Sequence, residues 1–262
     1  MTHRGPLPVT TEEMRVHLRT HLNPQLDDSA FILGHGCRSD RALRGMCWDP
    51  LGSAKSIMAP QLAYGRHRGP LRSQTRRAAV AVYLYQHAEL GWTIPLTRRP
   101  THLRHHGGQI CFPGGRIETG ESPQAAAFRE FEEELGVAPD LLAEVGRLPR
   151  HFVFASNNVI DPVVALIRCP ESRWQPDPSE VDEVIEIPLE RFVQEHRVVI
   201  TRQQSSIRQR DGSGDEVGTE EVGKLVFDAP AFEFRGYHVW GATAMILDQL
   251  VRRLLLWSPR AA

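Results

Sequence analysis

Residues 115–137, with the sequence GRIETGESPQAAAFREFEEELGV, decide how the rest of the chain is interpreted. Ser122 is a favourable helix N-cap, Pro123 suits the first helical position with its fixed φ, and Gly136 supplies a C-terminal stop. The intervening residues are good helix formers apart from two phenylalanines. The pattern therefore predicts a helix over 123–135 that follows a glycine-containing loop.

The predicted helix has two distinct faces. An apolar arc of roughly 100° on a helical wheel should pack on a sheet; it contains Ala127, Phe128, Phe131 and Leu135. A second arc of similar width carries Glu130, Glu133 and Glu134, with Arg129 at its margin. Like charges at these spacings repel, and a divalent cation would remove the conflict. Oxygen ligands without His or Cys favour Mg²⁺ or Mn²⁺, although a solvated acidic surface is the alternative.

The spacing around the glutamates distinguishes these two interpretations. Gly115 is followed after five residues by Glu121 and after seven more by the run Arg129-Glu-Phe-Glu-Glu-Glu-Leu-Gly-Val137. This arrangement resembles the Nudix box at every specified position. The resemblance implies an α/β fold, namely an α/β/α sandwich with a mixed sheet that carries the box as a loop-helix-loop. It also implies metal-assisted hydrolysis of a nucleoside diphosphate linked to another moiety.

The resemblance also assigns roles to individual residues. It implies that Glu130 and Glu134 are metal ligands and that Glu133 is either a ligand or the base that takes a proton from water. Arg129 is expected to orient a glutamate at the catalytic site, and Glu121 to brace the loop. The structural glycines are Gly114, Gly115 and Gly136, and Gly115 is a candidate carbonyl ligand. A distal acid often completes such sites, and the candidates are Glu180 and Glu183.

A second pattern lies upstream of the box: Leu96-Thr97-Arg98-Arg99, then Leu103-Arg104-His105-His106-Gly107-Gly108-Gln109, then Phe112-Pro113-Gly114-Gly115. It resembles the coenzyme A pyrophosphatase branch, onto which Arg99, Arg104, His106, Gly108 and Gln109 map. Pro95 and Pro100 depart from that branch, so the substrate follows less directly than the reaction.

Arg99, Arg104 and Gln109 are the candidate substrate-binding residues, because guanidinium groups suit phosphate oxygens. Surface pairing with carboxylates is the alternative for the arginines. On a strand Arg98 and Arg99 face opposite ways, and which of them points to the site stays open.

Three functions follow from the resemblance. The first is hydrolysis of coenzyme A and its thioesters to 3′,5′-ADP and (acyl-)4′-phosphopantetheine. The second is hydrolysis of another nucleoside diphosphate derivative, such as ADP-ribose or a dinucleoside polyphosphate. The third is a non-catalytic Nudix-fold sensor, against which the complete glutamate set argues.

Composition limits the possible partners. A formal net charge of -1 over 262 residues gives no global field that would attract nucleic acid or an anionic membrane. The polar N-terminus lacks a secretion signal, and no apolar run is long enough to span a bilayer. Four cysteines, Cys37, Cys47, Cys111 and Cys169, show no metal-ligand spacing or disulfide density. We therefore expect a soluble cytoplasmic protein that acts on a small molecule; the sequence does not give its oligomeric state.

The chain divides into two predicted parts. Residues 1–75 are expected to be an N-terminal extension with a helix capped at Thr10 or Thr11, and residues 76–262 to be the Nudix domain. Within the domain, the pattern predicts strands over 78–85, 92–96, 109–112 and 161–165 and a C-terminal helix over 245–257. The polar stretch 202–223 is expected to be an insert forming a flexible hairpin loop.

Overall fold

The computed structural model describes residues 7–22, 58, 75–103, 107–153, 157–209 and 220–256. Two residues of the predicted site, Arg104 and His106, lie outside the described residues, as do Cys37 and Cys47. Cys111 and Cys169 carry free thiols. Within these ranges no helix is both long and apolar enough to cross a bilayer.

An eight-stranded sheet forms the centre of the molecule. Its strands are β1 (Arg76–His87), β2 (Gly91–Arg98), β3 (Ile110–Cys111), β4 (Gly114–Arg116), β5 (Leu141–Arg147), β6 (His151–Val153), β7 (Asn158–Ile167) and β8 (Glu183–Pro188). The main order is β3-β2-β1-β7-β5, with β4 beside β1, β6 beside β7 and β8 beside β2. The pair β1 and β7 is parallel, and the other pairs are antiparallel. The predicted mixed sheet is therefore confirmed.

Helices cover both faces of this sheet. They are α1 (Thr11–His21), α2 (Pro123–Leu135), α3 (Leu189–Glu195) and α4 (Gly241–Leu254). Residues of β1 alternate between two cores, because successive strand side chains point to opposite faces. Ala81 and Tyr83 belong to the core under α2, whereas Val82 and Leu84 belong to the core with α1, α3 and α4. This arrangement is the α/β/α sandwich that the Nudix resemblance implies.

The helix α2 has the predicted bounds and caps. The Ser122 hydroxyl accepts a hydrogen bond from the amide of Ala125 at 3.1 Å, and Gly136 ends the helix in the left-handed region at φ 68°. Phe131 and Leu135 are fully buried as predicted. Phe128 is only half-buried: it lies at the edge of the packing face, where it lines a cavity with Tyr83 and Leu141 of the sheet.

The helix α1 packs into the main core. It begins with a capping box in which Thr10 and Glu13 bond each other's backbone amides, as the sequence predicts. Met14 and Leu18 are fully buried together with residues of α4. The helix of the predicted N-terminal extension is thus part of the packed structure. The helix α4 begins earlier than predicted, because it follows directly after the strand that ends at Trp240.

A second sheet corrects the expectation for the polar stretch 202–223. Its strands are β9 (Arg197–Gln209), β10 (Glu220–Phe234) and β11 (Tyr237–Trp240), in the order β11-β10-β9. Residues 202–209 and 220–223 are therefore strand residues and not loop. Opposite charges such as Arg202 and Asp228 pair across these two strands, and cross-strand pairs of this kind stabilise a ribbon without apolar alternation.

Candidate active site

Glu130 lies against the backbone of β4. A side chain at Gly115 would overlap the Glu130 carboxylate, so only glycine allows this close approach. Burial raises the pKa of Glu130, the neighbouring charges of Glu133 and Glu180 add to the increase, and Arg129 opposes it. The loop before α2 and the third turn of the helix thus meet at a partly desolvated carboxylate.

Glu134 is the most enclosed acid of the acidic face of α2, with 2% of its surface exposed. Its Oε2 accepts a hydrogen bond from the Thr97 hydroxyl at 3.3 Å, and its Oε1 accepts one from the amide of Gly114 at 3.5 Å. Burial raises the pKa of Glu134 to about 7, with contributions from Glu130 and Glu180, against the bond from Gly114 and the charge of Arg99. The raised pKa therefore reports mainly the burial of this carboxylate and, to a smaller extent, repulsion from the neighbouring acids.

Arg129 connects the acidic face to the loop that precedes α2. Its Nη1 donates to Glu130 Oε1 and to Glu133 Oε2, both at 2.9 Å, and its Nε donates to Glu121 Oε1 at 3.0 Å. The bond to Glu121 is the largest cause that raises the pKa of Arg129. The Glu133 side chain is 56% exposed, so it is the acid of this face that solvent reaches most easily. These contacts suit the predicted orienting role of Arg129, whose part in catalysis stays a prediction.

Arg98 is the last residue of β2, Arg99 follows it, and their side chains point to opposite sides of the strand. Arg98 pairs with Asp182 at 2.8 Å and with Glu183 at 3.1 Å. Arg99 lies near Glu134 and Cys111, where its charge opposes the rise that burial causes in both of their pKa values. The Arg99 Nε is buried and has no hydrogen-bond partner among the described residues. The orientation that the sequence left open therefore places Arg99 at the acidic face.

The two candidate distal acids also differ. Glu183 accepts a hydrogen bond from the Tyr237 hydroxyl at 2.7 Å in addition to its pair with Arg98. Glu180 lies close enough to raise the pKa of both Glu130 and Glu134. Its loop is fixed by a bond from the amide of the next residue, Val181, to the Asp177 carbonyl at 2.8 Å. Glu180 is thus the acid that faces α2.

The loop residue Gln109 lies beside Arg99. The Arg99 amide donates to the Gln109 carbonyl at 3.0 Å, and the Gly108 amide donates to the Arg99 carbonyl at 2.9 Å. This backbone pairing continues the ladder between β2 and β3 past Arg98. Of the predicted substrate-binding residues, Arg99 and Gln109 are therefore neighbours at one edge of the acidic face.

The donor set at this site has the chemistry that a hard divalent cation prefers. The candidate ligands are carboxylate oxygens and the Gly115 carbonyl oxygen, and a cation would offset both the burial of Glu130 and Glu134 and the repulsion from neighbouring acids that raise their pKa values. Among the described residues, no three acidic, histidine or cysteine side chains are gathered into a ready-made metal cluster. Binding would therefore draw the carboxylates of α2, and that of Glu180, closer together.

Thr97 is a site residue to which the sequence pattern assigns no role. Its hydroxyl oxygen lies 3.3 Å from Glu134 Oε2 and 3.3 Å from the Cys111 sulfur. Burial raises the pKa of the Cys111 thiol to about 11, so this thiol keeps its proton at neutral pH. The signal that would have found Thr97 is strand alternation, because it precedes Arg99 by two positions and shares its face.

Comparison with known proteins agrees with this fold. The NUDIX domain family matches residues 75–208. A Salmonella paratyphi B protein named "Uncharacterized Nudix hydrolase NudL" is 32% identical over 180 residues, which cover 68% of this chain and 83% of the relative.

Among solved structures, the MutT protein from Methanosarcina mazei Go1 is 20% identical, with a TM-score of 0.37, and the match covers 45% of this chain and 80% of that one. The NUDIX domain of Shewanella oneidensis NrtR, complexed with ADP ribose, is 19% identical with a TM-score of 0.37, over 47% of this chain and 79% of that one.

The chain belongs to the Nudix family. Membership supports a pyrophosphohydrolase that acts on a small nucleoside diphosphate derivative, and Nudix hydrolases generally use divalent metal ions.

Proposed function

We propose that this protein is a cytoplasmic coenzyme A diphosphatase. It hydrolyses the pyrophosphate of coenzyme A and its thioesters, giving 3′,5′-ADP and (acyl-)4′-phosphopantetheine, with Mg²⁺ or Mn²⁺. The upstream pattern from Leu96 to Gly115 supports this substrate because it resembles the coenzyme A pyrophosphatase branch.

The observation that carries the proposal is the unsatisfied donor of Arg99. This residue maps onto the branch pattern, and its Nε is buried next to Glu134 without a partner among the described residues. A buried donor without a partner costs free energy, and a phosphate oxygen of the substrate would satisfy it. Gln109 is paired with Arg99 through the backbone, which brings a second predicted substrate-binding residue to the same edge of the site.

The residues of the site would divide the chemical work as follows. Glu130 and Glu134, with Glu133 or Glu180, would hold the divalent cation, whose chemistry when bound is to polarise the phosphate and make a water molecule more acidic. Arg99 would bind phosphate oxygens and fix the anhydride beside the acidic face. Arg129 would keep Glu130 and Glu133 oriented through the bonds it donates to both.

Two residues are candidates for the base that takes the proton from the attacking water. Glu133 is the solvent-accessible acid of α2, and Glu180 is the distal acid that approaches the cluster from the loop before β8. Proton removal and charge neutralisation together would allow water to break one phosphorus–oxygen bond of the anhydride.

Product analysis tests the proposal. The purified protein would be incubated with Mg²⁺ or Mn²⁺ and with coenzyme A, 3′-dephospho-coenzyme A or ADP-ribose, and the products would be separated by chromatography. We expect 3′,5′-ADP and 4′-phosphopantetheine from coenzyme A. Equal cleavage of the dephospho form would remove the role of the 3′-phosphate, and cleavage of ADP-ribose alone would favour another Nudix substrate.

One variant tests the role of the acidic face in that assay, and a second variant is its control. Glu134→Gln removes a proposed ligand and should reduce turnover by at least about 100-fold, because even outer-sphere partners of metal ligands cost 10- to 100-fold. Glu132→Gln changes the exposed neighbour on the same helix and should retain activity. Absence of any hydrolysis by the folded wild-type protein would instead favour the non-catalytic sensor.

A further inference from the structure

We propose that Thr97 is a positioning residue that holds the Glu134 carboxylate in the orientation needed for metal binding. The proposal rests on the proposed function in one respect, since it takes Glu134 as a metal ligand. Thr97 lies on β2, and Glu134 lies on α2, so the contact joins the central sheet to the catalytic helix.

The Glu134 carboxylate is held by one donor at each oxygen. Oε2 accepts from the Thr97 hydroxyl at 3.3 Å and Oε1 from the Gly114 amide at 3.5 Å, and the described residues make no further hydrogen bond to it. Both bonds are longer than ordinary hydrogen bonds. Because the two donors come from β2 and β4, they fix the plane of the carboxylate from two sides.

The surroundings of Thr97 favour donation of its proton to Glu134. The Thr97 side chain is fully buried, so water does not compete for the hydroxyl. The Cys111 sulfur lies 3.3 Å from Thr97 Oγ1, and its S–H can donate to that oxygen. The hydroxyl has a second acceptor, the Cys111 carbonyl oxygen at 3.5 Å, but Glu134 Oε2 is closer at 3.3 Å and is a carboxylate oxygen. When the thiol donates to the hydroxyl and the hydroxyl donates to Glu134, the three groups form one hydrogen-bonded chain.

The chain offers a matched control on the same strand. Thr93 is also fully buried on β2 and lies on the same face, but its hydroxyl donates to the carbonyl of Gly91 at 3.0 Å. Replacement of either threonine by valine removes a buried hydroxyl and nearly preserves the side-chain shape. Only the change at Thr97 removes a donor from Glu134.

The test measures the affinity of the metal-free, full-length protein for Mn²⁺. Electron paramagnetic resonance of the free ion gives the concentration of unbound Mn²⁺ in each titration. Thr97→Val should weaken Mn²⁺ binding by about 10- to 100-fold, the usual effect of removing a group that orients a metal ligand. Thr97→Ser, which keeps the hydroxyl, should bind nearly as tightly as the wild type, and Thr93→Val should be unchanged. Excess Mn²⁺ should restore much of kcat in Thr97→Val.

Three results would overturn the proposal: wild-type Mn²⁺ affinity in Thr97→Val, equal weakening in Thr97→Ser, or equal weakening in Thr93→Val. Thr97→Ala replaces Thr97→Val if the latter does not fold. Glu134→Gln tests the premise separately, since wild-type Mn²⁺ affinity in that variant would show that Glu134 is not a ligand. Failure of coenzyme A as a substrate is detected only in the product assay and leaves these affinities unaffected.

Discussion

Arg98 and Arg99 are adjacent in sequence but serve different parts of the molecule. Arg98 is a partly exposed partner of Asp182 and Glu183, whereas Arg99 reaches the acidic face of α2. An exposed ion pair contributes about 0–1 kcal/mol, whereas a hydrogen bond to a charged group contributes about 1.5–3 kcal/mol. The two side chains should therefore respond very differently to the same substitution.

We expect Arg99→Gln to lower kcat/KM for coenzyme A by about 10- to 150-fold, the range that loss of one hydrogen bond to a charged group gives. Arg98→Gln is the matched control and should lower it by less than about fivefold. Steady-state kinetics with the same metal concentration measures both. Equal losses in the two variants would show that Arg99 has no special contact with the substrate.

The sequence predicts that these arginines face opposite ways, but not which one reaches the site. Strand alternation is a local property of β2, whereas the direction of each face depends on Glu134, Asp182 and Glu183, which are distant along the chain. The role of Thr97 could not be predicted for the same reason, because its partner Glu134 lies on another element. The common face of Glu130 and Glu134 is easier to predict, because the two residues are four positions apart on one helix, and their roles as metal ligands stay a prediction.

The strands β1, β5 and β7 are connected through one buried carboxylate. Asp161 of β7 is 1% exposed and pairs with Arg77 at 3.0 Å, with Arg147 at 3.3 Å and with Arg150. Arg77 belongs to β1 and Arg147 to β5, so the cluster crosses the parallel pair and the neighbouring antiparallel pair. Its loss would leave buried guanidinium charge without this partner.

Asp161→Asn should lower the free energy of unfolding by about 3–5 kcal/mol, as expected when one member of a buried ionic cluster is removed. Asp140→Asn is the control, because Asp140 and Arg168 form an exposed pair worth about 0–1 kcal/mol. Urea denaturation followed by circular dichroism measures both changes. A loss at Asp161 no larger than that at Asp140 would contradict a structural role for the cluster.

The elements differ in how well their sequence predicts them. The helix α2 is predicted to the residue because its stop, Gly136, and its cap, Ser122, are local signals. The strands β9 and β10 are poorly predicted because their polar ends show no apolar alternation, and they are stabilised by pairing with each other. Cross-strand pairing depends on distant residues, so a local pattern does not report it.

At the scale of the whole molecule, hydrogen bonds between buried polar groups join α1 to α4. His17 Nε2 lies 2.7 Å from the Arg253 carbonyl, and Arg253 Nε donates to the His21 carbonyl at 3.2 Å. Burial lowers the pKa of His17, the bond to Arg253 opposes this, and His21 adds to the decrease. The folded state therefore favours the neutral imidazole.

Stability should consequently fall as the pH falls. The unfolded state, with an imidazole pKa of about 6.5, binds the proton more readily than the folded state does. The contribution of His17 is complete above that pH and is lost as the pH falls through the unfolded and then the folded pKa. His17→Gln keeps an N–H donor but does not titrate. Urea unfolding measures the free energy of unfolding at pH 7.5 and at pH 5.5. The decrease between the two pH values should be smaller in His17→Gln than in the wild type, and equal decreases would contradict the prediction.

The contact between α1 and α4 also has a consequence for the order of events during synthesis. His17 and Arg253 are 236 residues apart, so at about 5–20 residues per second a ribosome makes the second of them roughly 10–50 s after the first. During that interval Met14 and Leu18 lack the α4 surface that buries them. The part of the main core between α1 and α4 is therefore completed only after Arg253 has been made, and the apolar face of α1 lacks this partner surface until then.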